Sequence, residues 1–158
     1  FSRLGYSIVE AKIHTTRHGY ALDSFVLLDP SGALTYRDMI ALIEHDLVEQ
    51  MQSRPPLAAP ASGRLSRQVR HFPFSPEVAT RRDDKGNCHV MSVAAIDRPG
   101  LLYAIARVLS QHGIDVQAAK ISTLGERVED TFVLSGGELE QTAALVRLEQ
   151  ELLEVLRV

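Results

Sequence analysis

Ile96-Asp97-Arg98-Pro99-Gly100-Leu101-Leu102 is the point where one apolar run stops, turns and restarts with a different period. Before it, Val90, Val93, Ala94, Ala95 and Ile96 form a short, partly β-branched segment suited to a buried strand. After it, Leu101, Leu102, Ile105, Val108, Leu109 and His112 recur at three- and four-residue steps, which draws one apolar face of a helix. Pro99 suits the first turn of that helix, where its missing N–H is an orphan donor in any case. Asp97 fits just before it, either as a cap or as a free carboxylate. Gly113 reads as the left-handed terminator, and Ile114-Asp115-Val116 opens a new extended run. A strand thus feeds a glycine-containing loop and the loop feeds a helix N-terminus, whose N–H groups and dipole suit a small carboxylate.

Working outward, the chain repeats itself. Gly5 to Thr15 aligns with Gly113 to Thr123 at a constant shift of 108, with glycine, alanine, lysine, isoleucine and threonine identical at five positions. Asp23-Ser24-Phe25-Val26-Leu27 then matches Asp130-Thr131-Phe132-Val133-Leu134 at a shift of 107. Each copy reads as a β-hairpin, turning around His18-Gly19 or Gly125-Glu126, followed by a helix. Thr35 and Asp38 resemble a capping box before the stripe Met39, Ile40, Ile43, Leu47 and Met51. In the second copy Gly136-Gly137 ends the strand, Leu145, Leu148 and Leu152 mark the helix, and Val155-Leu156-Arg157-Val158 is read as a short closing strand.

With the strand before Asp97 included, the fold class is α+β: two ferredoxin-like βαββαβ units in tandem, residues 1–82 and 83–158. The first unit is read as lacking its N-terminal strand and most of its first helix, and the chain as a piece of a longer one. Residues 53–63, with three prolines and no periodicity, read as a mobile loop. Gln68 to Phe72 is expected to close the first unit, and Glu77–Thr80 to pair with His89–Ser92 across a turn at Asp83–Asn87. Lys12 and Lys120, with Asp23 and Asp130 on neighbouring strands, read as cross-strand charge pairs on the open sheet face, and Phe25 and Phe132 as core.

Composition narrows the function classes. A net charge of -3 carries no electrostatic footprint for nucleic acid, and no apolar run approaches a membrane span. The arginines at 64, 67, 70, 81 and 82 read as a solvated surface. One cysteine, Cys88, rules out an intramolecular disulfide and suits a reducing cytoplasm. The six histidines show no metal-ligand spacing. An RNA-recognition sheet of the same architecture needs aromatic platforms in a basic third strand, whereas Glu126 to Phe132 is acidic with a single aromatic.

The loop at Asp97–Leu102, the run Gly113–Val116 and the stretch Gly125 to Phe132 resemble the ACT domain family, small-molecule sensing modules attached to metabolic enzymes. Two such units in tandem, with Arg70-His71-Phe72-Pro73 between them, resemble more narrowly the C-terminal regulatory end of the bacterial bifunctional PII uridylyltransferase/uridylyl-removing family. That resemblance implies glutamine sensing, allosteric control of upstream catalytic domains of the same chain, and the PII signalling protein as the parent's substrate. It also implies a divalent metal such as Mg in those catalytic domains and none in this segment, and no catalytic residue here. ACT-to-ACT association follows from the same resemblance, with neither nucleic acid nor membrane as partner. The candidate ligand-binding residues are Asp97, Arg98, Pro99, Gly100, Leu101 and Leu102, with Ile114, Asp115 and Val116 as an opposite wall. In this reading the N–H groups of Gly100, Leu101 and Leu102 meet a ligand carboxylate and Asp97 meets its ammonium group. The alternatives are a structural dimerisation module and the ACT domain of an amino-acid biosynthetic enzyme.

Overall fold

A computed structural model describes residues 1, 4–29, 31–32, 34–55, 74–84 and 88–157. Its strands are β1 (Ser7–His14), β2 (Ser24–Leu28), β3 (Glu77–Arg82), β4 (His89–Ile96), β5 (Ile114–Leu124) and β6 (Arg127–Gly136). The helices among these residues are α1 (Tyr36–Ser53), α2 (Leu101–Gln111) and α3 (Thr142–Leu156). The strands form one antiparallel sheet in the order β2-β1-β5-β6-β4-β3.

Alternation in β4 and β6 sends Met91, Val93, Ala95, Val128, Phe132 and Leu134 to one face, where they meet Leu101, Ile105 and Leu109 of α2 and Leu148, Leu152 and Leu156 of α3. This is the core. Phe132 is part of it, but its repeat partner Phe25 is 39% exposed and stacks on Phe1 instead, ring centroids 4.8 Å apart. The first-copy helix forms as its sequence signals predict: Thr35 caps α1, accepting the Asp38 N–H at 3.3 Å and donating to its carboxylate at 2.6 Å. None of its residues is buried.

The joint between the copies has its own symmetry. β1 pairs with β5, its own repeat equivalent, and Lys12 stands opposite Lys120. Ala11 faces Ile121 while Ile13 faces Ala119, so the seam is self-complementary about the two lysines, as in an isologous interface. The cross-strand charge pairs read from sequence are absent: Lys12 pairs with Glu10 at 3.4 Å, Lys120 lies beside Thr131, and Asp130 is on the core face.

The expected closing strand at Val155–Val158 is also corrected. α3 continues through Leu156, which is 1% exposed, because Leu148, Leu152 and Leu156 prolong one stripe at four-residue steps. The edge beside β4 is taken by β3, whose hairpin with β4 pairs Glu77 with Ala94 and is tied by Asp83 N–H to Cys88 O at 2.9 Å. Glu149 of α3 accepts the Thr80 N–H at 2.9 Å on that strand. The proposed strand at 68–72, the loop at 56–63 and the turn residues 85–87 lie outside the described residues.

Candidate functional site

β4 delivers the chain to Asp97, whose N–H donates to Glu126 O at 2.8 Å and so fastens the loop to the β5–β6 turn. Helix α2 starts at Leu101. Its cap is Gly100 at φ 82°, with no side-chain cap bond, so Asp97 does not cap it and Pro99 stands just outside rather than in its first turn. Only a residue at ease with positive φ makes that swing from strand to helix without strain, which is why the boundary falls at the glycine. Leu101 N–H returns to Arg98 O at 3.1 Å, and Ala104 N–H donates to Gly100 O at 2.9 Å. Leu101 is buried and Leu102 packs against the core, so the loop's far end is anchored.

Asp97 lies at the surface, yet partial burial of its carboxyl raises its pKa, against the opposing pull of the Arg98 N–H. The Arg98 side chain leaves the loop altogether and donates to Val155 O, one of the terminal carbonyls of α3, while its Nε is buried without a partner. A guanidinium at a helix C-terminus meets the negative end of the dipole. Arg98 therefore ties the loop to the end of α3.

Behind the loop stands Asp130 of β6, 1% exposed on the core face. Its Oδ1 accepts Ser122 N–H at 3.2 Å, and its Oδ2 is buried with no partner. Burial first, and the neighbouring Asp97 charge to a lesser degree, push its pKa up to about 6. Residue-type reasoning placed this aspartate on the open face; its parity with Phe132 two positions on was the signal that places it in the core.

The second group of sequence-predicted residues sits elsewhere. Ile114 pairs with Gly136, while Ile96 and Leu124 both lie beside Arg127, so Ile114, Asp115 and Val116 occupy the opposite end of β5 from the Asp97 loop. The 11 residues of β5 put roughly 30 Å between the ends. The two predicted walls therefore do not meet within one unit. At the loop's end of the sheet lie instead the first copy's Tyr6, Ser7 and Ile8, the repeat equivalents of 114–116. There Thr123 Oγ1 donates to Ile8 O at 3.0 Å and Tyr6 is buried. At the far end, His112, Ile114, Glu138, Leu139, Arg147 and Leu148 line a cavity of about 190 Å³, and His112 meets Glu151 at 2.9 Å.

A βαββα unit whose uncapped helix follows a strand through an Asp-Arg-Pro-Gly turn defines a class, and the family comparison agrees: residues 89–152 match the ACT domain and belong to that family. Over its whole length the chain is 56% identical to part of the bifunctional uridylyltransferase/uridylyl-removing enzyme of Aromatoleum aromaticum, covering 18% of that protein. The same enzyme of Ralstonia nicotianae is 52% identical and that of Cupriavidus metallidurans 51% identical, each again across the whole chain and 19% of the relative. The chain corresponds to the C-terminal region of these relatives and spans about a fifth of their length. No solved structure matches it.

Proposed function

We propose that this chain is the amino-acid-sensing, regulatory part of a bifunctional uridylyltransferase/uridylyl-removing enzyme, with glutamine as its ligand and control of uridylyl transfer to and from PII as its output. The observation that carries the reading is the α2 N-terminus, which opens at Gly100 without a side-chain cap beside an Asp97 that caps nothing. A zwitterion fits this polarity: its carboxylate against the N–H groups of the first turn, its ammonium against Asp97. The wall across from the loop is Tyr6–Ile8 of the first copy. Ile114, Asp115 and Val116, at the other end, offer the same wall to the loop of another unit, which favours ACT-to-ACT association.

The energetics are modest. A sensor working near millimolar metabolite needs about 4 kcal/mol, and two or three charge-assisted hydrogen bonds supply it after ordering losses. Seating a guest between the copies favours one arrangement of the β1–β5 seam, and that bias is what attached catalytic domains would read. Isothermal titration of glutamine tests the reading. Heat is expected at millimolar ligand, and Asp97→Ala should weaken binding about tenfold or more while leaving the thermal unfolding curve nearly in place, because no helix loses a cap. Absence of heat, or lost stability with affinity intact, rejects sensing in favour of a structural module.

A further inference from the structure

Asp130 is a charge without a counter-charge. Along the core face of β6 it lies between buried Val128 and Phe132, with one oxygen on Ser122 N–H and the other bonded to nothing. The charged groups around it are committed or turned away. Arg98 of the loop is held by Val155 O, Glu149 by Thr80 N–H, and Glu151 by His112. Arg107 of α2 is exposed, and Lys120 and Glu129 point to the opposite face of the sheet. The nearest charge is a second carboxylate, Asp97. Two acids face one another with no cation between them.

We propose that Asp130 is a specificity-determining positioning residue, whose buried carboxylate behind Asp97 makes the loop selective for a guest carrying a protonated amine. The inference rests on the amino-acid reading above and adds the group that enforces it. A pair of carboxylates this close, one of them sealed from water, is stabilised by a single positive charge in a low-dielectric surround far more than by the same charge in solvent. The pair supplies too few oxygens for a calcium or magnesium cage, and among the described residues no group of three His, Cys, Asp or Glu is placed to hold a metal. An ammonium group needs only two or three acceptors. A guest of the same shape without its amine leaves both acids uncompensated and is rejected.

The test is calorimetric titration of the 158-residue chain with glutamine and with glutaramate, its analogue lacking the α-amino group, between pH 5 and 7.5. Wild type should prefer glutamine at least 100-fold. Its affinity should fall toward tenfold per pH unit as pH drops through about 6, because the guest must displace the proton that Asp130 takes up there. Asp130→Asn should flatten the pH profile and shrink the preference about tenfold, and Asp130→Glu should restore part of both. If wild type binds glutamine but Asp130→Asn keeps the same preference and profile, this inference is overturned and sensing stands. Binding of neither compound by wild type overturns both readings. Should Asp130→Asn fail to fold, a wild-type affinity unchanged between pH 5 and 7 is itself enough to reject the proposal.

Discussion

A carboxylate on the core face of a strand costs stability at every pH where it is charged, and Asp130 gives that cost a definite window. Its pKa is raised from an ordinary 3.8 to about 6, so between those values the folded chain holds more protons than the unfolded one. The contribution is fully present below pH 3.8 and is lost as pH rises through about 6. The full difference is on the order of 2–3 kcal/mol. Asp130→Asn, which keeps the shape and removes the charge, should therefore raise the unfolding midpoint at pH 7.5 by a few degrees and lose that advantage near pH 4.5. Denaturation of both proteins across this range measures it, and an equal gap at both ends would show that the carboxylate is not the cause. Parity with Phe132 made the position of Asp130 readable, yet an aspartate in a strand more often points to water, and that expectation placed it wrongly. No spacing rule reveals its unpartnered oxygen, which depends on what the neighbouring strand fails to bring.

Among the elements, the β6-to-α3 connection is the tightest. Gly137 lies at φ +59°, and a Cβ there would stand 2.8 Å from His112 O, a backbone atom that cannot move without shifting the end of α2. Gly137→Ala should cost about 1–3 kcal/mol from backbone strain and the clash together. Chemical denaturation reads the loss directly, and a variant as stable as wild type would mean that the turn has room to relax. Here the double glycine at 136–137 was legible as a break, since no other residue pair suits a strand end turning so sharply. The end of α3 was less so. Four residues with two valines look like a strand in isolation, and only the continuing leucine stripe from Leu148 to Leu156, together with the Arg98 side chain on Val155 O, holds them in the helix. β3 then takes the edge because a hairpin to β4 closes over a few residues, whereas a strand after α3 would have to cross back over the sheet.

At the scale of the molecule, the repeat announced two like units, but periodicity does not specify which strand pairs with which. The register in fact sets Lys12 against Lys120, a like-charge opposition no pattern rule would choose. What secures the seam is on its other face and along its edges: Ala11 buried against Ile121, and the hydroxyls of Thr15 and Thr123 donating to Val116 O and Ile8 O at 3.1 and 3.0 Å. Ala11, 1% exposed, is the lever. Ala11→Arg must either bury an unpaired guanidinium or open the seam, and the second is cheaper because burying an isolated charge costs several kcal/mol. The β1–β2 hairpin should then detach while β4, α2, β5, β6 and α3 keep their shared core, so amide exchange should accelerate in β1 and along the β1-facing edge of β5 but not in β4 or β6. Tyr6, Ser7 and Ile8 leave with the hairpin. If they are the wall opposite the Asp97 loop, glutamine affinity should fall by at least tenfold in the same variant, although the loop itself is intact. Seam opening by exchange with undiminished affinity would assign the whole seat to the second copy and leave the joint between copies with no part in sensing.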